Sequence, residues 1–135
     1  LPDDSLARAR VRELVGVIAC DIHPLCNLSV TRYVENRLNA SQRELSEWYR
    51  TWISQGLGAL EQLVRSRHQP FCAGASPSLA DVCLIPQLYN ATRFNVDLTP
   101  FATLRRINEG CLSLKAFSDA VPERQPDAPE SEVAP

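Results

Sequence analysis

The sequence predicts an all-α helical bundle, and three observations carry that prediction. Apolar residues recur at helical spacing along nearly the whole 135-residue chain, as in Val11, Leu14, Val15, Ile18 and Ile22. Two serine capping boxes, Ser41 with Glu44 and Ser78 with Asp81, stand just before apolar runs. No strand alternation, internal repeat or coiled-coil heptad accompanies them. Several amphipathic helices with short connections, plus one helix apolar on nearly every side, specify a bundle.

The first helix opens at Asp4 or Ser5, either of which can cap it, and presents the Val11–Ile22 stripe. Pro24 lacks a backbone donor and disfavours helical geometry at the residue before it, so a kink or break is expected at His23. Periodicity resumes through Val30, Tyr33, Val34 and Leu38. The helix that Ser41 caps carries Leu45, Trp48, Trp52, Ile53, Leu60 and Leu63, with the two tryptophans read as core. Gly56 and Gly58 interrupt it, each at about 1 kcal/mol relative to alanine, which close helix packing would offset. A loop follows from about Arg65 to Pro77. Ser78 then opens the most apolar helix, expected to be central and buried, with Asp81 as a capping partner rather than a catalytic acid. Thr99 and Pro100 read as a cap and first helical residue, and Ser113 starts a short last helix with Leu114 and Phe117. The reading divides the chain into a helical domain over 1–121 and a Pro-rich tail over 122–135, the latter expected to be disordered.

Composition excludes some functions. A net charge of -2 and the lack of a basic run argue against nucleic-acid binding. The uninterrupted apolar stretches are too short to cross a bilayer, and the acidic start, Leu1 to Ser5, is no secretory signal. Five cysteines at irregular spacing suit free thiols in a reducing compartment, so a cytoplasmic location is expected. Cys83 and Cys111 read as core, while Cys20 and Cys26 flank the kink, where core packing is the better reading and cavity lining the alternative. His23 and His68 are too isolated to suggest a metal site. The chain has no methionine, which fits either a processed start or a fragment.

Standard catalytic motifs are absent, but two segments stand out. The first is His23-Pro24-Leu25-Cys26-Asn27-Leu28-Ser29, where a kink exposes backbone groups beside polar side chains. The second is Arg93, at the end of the apolar helix. Its guanidinium either favours the helix dipole or grips a carboxylate with its planar fork. From the residues alone, a local cap and a helix-terminus charge are the simpler readings.

A family resemblance shifts that balance. The segment from Asp21 to Val30 resembles the zeta-class glutathione transferase signature I-[QH]-P-L-x-N-L-x-V. Ser78 to Gln87 resembles the glutathione transferase capping box with its zeta continuation. Arg93 to Phe101 resembles R-F-x-V-D-L-x-P-[YF], and Gln125-Pro126-Asp127 the closing Q-P-D. The resemblance implies a glutathione S-transferase C-terminal-like bundle, with the N-terminal thioredoxin-like domain absent from this chain. It implies that His23, Asn27, Leu28 and Ser29 contact glutathione, the cofactor, and that Arg93 binds an acidic substrate. The family is that of the maleylacetoacetate and maleylpyruvate isomerases, expected to be homodimeric and metal-free. No catalytic residue is expected in this chain, which alone should be inactive. The alternatives are a zeta-class transferase that conjugates glutathione to haloacids or other electrophiles, and a non-catalytic helical association module.

Overall fold

The computed structural model describes residues 1–128. Its helices are α1 (Ser5–Gly16), continued by a π-helical turn (Val17–Ile22), then α2 (His23–Leu25), α3 (Leu28–Leu38), α4 (Gln42–Arg65), α5 (Leu79–Arg93), α6 (Ala102–Leu112) and α7 (Lys115–Ser118). No strand occurs among the described residues. α5 packs against α1, the π turn, α4 and α6, while α4 also meets α3 and the π turn.

Local signals set most starts. Asp4 caps α1, its Oδ1 accepting from Ala7 N at 2.7 Å. Ser41 and Glu44 form a reciprocal box, as do Ser78 and Asp81. The core draws Val11, Leu14, Ile18 and Ile22 from the first helical run, and Ile53, Leu57 and Leu60 from α4. Leu84 and Leu88 of α5 and Leu104 and Ile107 of α6 complete its centre.

Several expectations are corrected. The chain does not break at His23, whose backbone is helical at φ -59°, ψ -42°. Its N–H reaches Ile18 O, five residues back, so a π turn carries the helix into Pro24. The interruption falls instead at Cys26, and Asn27 caps α3. Taken together across that interruption, Ser5–Leu38 is long and apolar enough, by length and composition alone, to cross a bilayer. Reading uninterrupted apolar stretches missed it. One stripe of that element, through Val11, Leu14, Ile18 and Ile22, is buried in the bundle.

α5 is not buried all round. Asp81, Leu84 and Leu88 face the core, but Leu79, Val82 and Tyr89 are exposed. α6 starts at Ala102 rather than Pro100, and Phe101 at its cap offers no side-chain acceptor. Glu61 of α4 supplies one from a distance: its carboxylate accepts from Thr103 N at 3.1 Å and Leu104 N at 3.0 Å. α7 starts at Lys115 with Leu114 at its cap, not at Ser113. The tail holds a 3-10 turn at Pro122–Arg124, with the Gln125 amide donating to Asp119 O and Val121 O. Of the tail expected to be disordered, residues 129–135 lie outside the described residues.

The two α4 glycines differ in kind. A Cβ on Gly56 would lie 2.2 Å from Ile22 Cγ1 and 2.4 Å from its Cδ1, and Ile22 is fully buried. A Cβ on Gly58 would meet only Phe101 at 3.9 Å. Gly56→Ala should therefore destabilise by about 2 kcal/mol, overpacking exceeding the gain in helix propensity. Gly58→Ala should stabilise by about 0.5 kcal/mol. Urea denaturation of the two variants checks the contrast, and equal effects would remove the packing explanation.

Candidate carboxylate-binding cleft

A cleft of about 430 Å³ lies between α3, α4 and the end of α5. α3 lines it with Leu28, Thr31, Arg32 and Glu35, and the α5 end with Asn90 and Arg93. Its remaining wall comes from α4, where Tyr49 is the key residue.

The wall is tied together from the bottom. The ring of Tyr49 stacks on Phe94, with centroids 3.7 Å apart and planes 7° from parallel. The Arg93 guanidinium carbon lies 5.7 Å from the Phe94 centroid, within cation–π range. Tyr49 Oη donates to Thr31 Oγ1 at 3.2 Å, and that hydroxyl donates to the Asn27 carbonyl at 3.2 Å. Trp48 Nε1 donates to Leu25 O at 2.8 Å, satisfying a carbonyl at the end of α2. Trp48 is half-buried, so it anchors the α2–α3 junction to α4 rather than filling the core. Trp52 meets it edge-to-face at 5.6 Å.

Of the residues singled out by sequence, Leu28 and Arg93 line this cleft. His23, Asn27 and Ser29 are exposed near the α2–α3 junction and do not line it. Asn27 Oδ1 accepts from Ser29 N at 2.9 Å and Ser29 Oγ at 2.8 Å, which makes it a helix cap as the simpler reading held. The Asn27 amide N–H₂ and the His23 imidazole remain exposed polar groups beside it. Sequence reasoning missed Arg32, Glu35 and Tyr49. Their signal was positional: Arg32 and Glu35 follow Leu28 at four and seven residues, the same face of α3.

The cleft is lined by charged side chains but holds no activated nucleophile among the described residues. Cys26 lines it, and burial pushes that thiol up to about 11, so it stays protonated near neutral pH. Cys20, also expected in the core, is exposed. Cys83, Cys72 and Cys111 are no better activated. Burial raises Cys83, and burial with the Asp81 charge raises Cys72 and takes Cys111 up to about 12. Among the described residues no group of three His, Cys, Asp or Glu is placed to hold a metal ion. A second cavity of about 520 Å³ lies between α5, α6 and α7. Its lining, including Val82, Ile85, Leu112 and Phe117, has no charged side chain to receive an acid.

No family model matches the chain. The probable maleylacetoacetate isomerase of Vibrio cholerae is 41% identical over 128 residues, covering 95% of this chain and 60% of that protein. A bacterial maleylpyruvate isomerase, a zeta-class glutathione S-transferase solved in holo form, superposes with TM-score 0.92 at 39% identity, covering 96% of this chain and 62% of the other. The maleylpyruvate isomerase of Pseudomonas aeruginosa PAO1 does so at 0.90 and 43% identity, covering 96% of this chain and 68% of the other. The chain belongs to the zeta-class glutathione transferases. It spans about three fifths of the length of the curated zeta relatives it matches. Two of the segments carrying the resemblance border one region of this zeta-class bundle: the His23–Ser29 segment ends at the cleft rim, and Arg93 forms part of its wall.

Proposed function

We propose that this chain forms the helical part of a glutathione-dependent cis–trans isomerase acting on a maleyl diacid, maleylacetoacetate or maleylpyruvate. The observation that carries the reading is Arg93, a guanidinium set against Phe94 in a cleft with no charge-activated thiol of its own. A relative supports it: the maleylacetoacetate isomerase of Anaeromyxobacter dehalogenans, 43% identical, holds dicarboxyethyl glutathione and citrate in its active site.

The exposed donors at the α2–α3 junction fit a polar, anionic tripeptide. His23, the Asn27 amide, Leu28 and Ser29 would hold glutathione there, the polar groups by hydrogen bonds and Leu28 by packing. Bound glutathione supplies a thiolate that adds to the cis double bond and leaves again, the bond rotating while it is single. Arg93 binds a substrate carboxylate through its fork and balances negative charge near the reacting carbons. The Phe94–Tyr49 stack holds that guanidinium, which limits the ordering needed when substrate binds. The homodimer and the cytoplasmic location belong to the same proposal.

The test is turnover by the full-length protein with a maleyl substrate, with and without glutathione. Isomerisation should require glutathione and leave its concentration unchanged. Stoichiometric consumption of glutathione would favour the conjugating transferase instead, and no turnover of either kind would favour the association module.

A further inference from the structure

The cleft contains a second arginine that this reading has not used. Arg32 lines it from α3 while Arg93 lines it from α5, so two cations share one cavity of about 430 Å³. Neither takes part in an ion pair among the described residues, where the pairs are Lys115 with Asp119 and Arg124 with Asp119. The cleft does contain an acid, Glu35, three residues beyond Arg32 on the same helix. That carboxylate is engaged by α4 instead: Gln42 Nε2 donates to Glu35 Oε1 at 2.6 Å. Arg32 is exposed, and its guanidinium makes no hydrogen bond among the described residues, its backbone carbonyl alone accepting from the Asn36 side chain at 2.9 Å.

We infer that Arg32 is a second carboxylate anchor, placed so that the cleft holds a diacid with one carboxylate on each guanidinium. This rests on the isomerase reading and adds what selects its substrate. A single arginine reads one carboxylate and does not distinguish a diacid from a monoacid. Two guanidiniums on different helices do distinguish them, because only a diacid satisfies both forks. The two are unequal. Arg93 lies against Phe94, itself stacked on Tyr49, whereas Arg32, on α3, has no aromatic partner among the described residues. The preorganised Arg93 takes a lone carboxylate, and Arg32 adds affinity only when a second is present.

The experiment uses the full-length protein and measures calorimetric affinity for maleate, for butyrate and for glutathione. Arg32→Gln should weaken maleate by roughly tenfold, the loss of one charge-assisted contact, and leave butyrate and glutathione within about twofold. Arg32→Lys should recover part of the maleate affinity, since the charge remains and the fork is lost. In turnover, Arg32→Gln should raise KM for the maleyl substrate more than it lowers kcat. Unchanged maleate affinity in Arg32→Gln, or equal losses for maleate and butyrate, overturns the inference. A wild-type protein that isomerises nothing yet loses its maleate preference in Arg32→Gln would overturn the isomerase reading and keep the diacid anchor.

Discussion

Replacing Asp81 with alanine lowers the stability of the domain by about 3 kcal/mol, the scale for stranding two backbone donors that share one buried carboxylate. The side chain is fully buried at the start of α5. Its Oδ2 accepts from Ser78 N at 2.8 Å and Ser78 Oγ at 3.0 Å, closing the capping box. Its Oδ1 accepts from Cys72 N at 2.8 Å, with Cys111 Sγ at 4.0 Å. One carboxylate therefore ties together the loop before α5, α5 itself and α6. Alanine leaves the Cys72 and Ser78 N–H groups without acceptors, and each buried orphan costs about 1–3 kcal/mol. Ser78→Ala removes only the hydroxyl and leaves both backbone bonds to Asp81, so it should cost about 1 kcal/mol. Urea denaturation of both variants decides the matter. If Asp81→Ala costs no more than Ser78→Ala, the bond to Cys72 contributes nothing and the residue is an ordinary cap.

That example also shows what was legible in the sequence. The Ser78–Asp81 spacing announced a capping box because both partners lie within one turn. The bond to Cys72 was invisible, since it depends on how the preceding loop folds back nine residues away. Glu61 is the same case at longer range: it caps α6 from α4, so the local search for a cap settled on Thr99. At Pro24 the rule about the preceding residue was sound, but a π turn let His23 stay helical and moved the break to Cys26. α5 looked central because periodicity registers apolar residues, not the neighbours available to cover them. Its Leu79–Val82–Tyr89 side is exposed. In the cleft, Leu28 and Arg93 were found because they belong to recognisable segments. Arg32 and Glu35 were missed because polar residues on an amphipathic helix ordinarily mark a solvated face. Only the placement of α4 and the α5 end opposite them turns that face into a wall.

Arg93→Ala in the full-length protein should reduce kcat/KM for a maleyl diacid by about a hundredfold, comparable to losing one preorganised donor to developing charge. The fold should barely respond. Arg93 is exposed, and its favourable position at the C-terminal end of α5 is worth about 0.3–1 kcal/mol. A catalytic loss with an unchanged melting profile therefore assigns the effect to substrate rather than to folding. The loss should be shared by mono- and dicarboxylate ligands, because Arg93 takes the carboxylate common to both, and glutathione affinity should stay near wild type. Lysine at this position keeps a charge but presents no planar fork, so Arg93→Lys should recover only part of the rate. Phe94→Leu supplies the complementary measurement. It removes the ring that Tyr49 stacks on while leaving the guanidinium in place, and should raise KM with little change in glutathione binding. Unchanged isomerase kinetics in Arg93→Ala would exclude Arg93 from the site. A loss in Phe94→Leu alone would then trace the effect to the stacked wall and not to the charge.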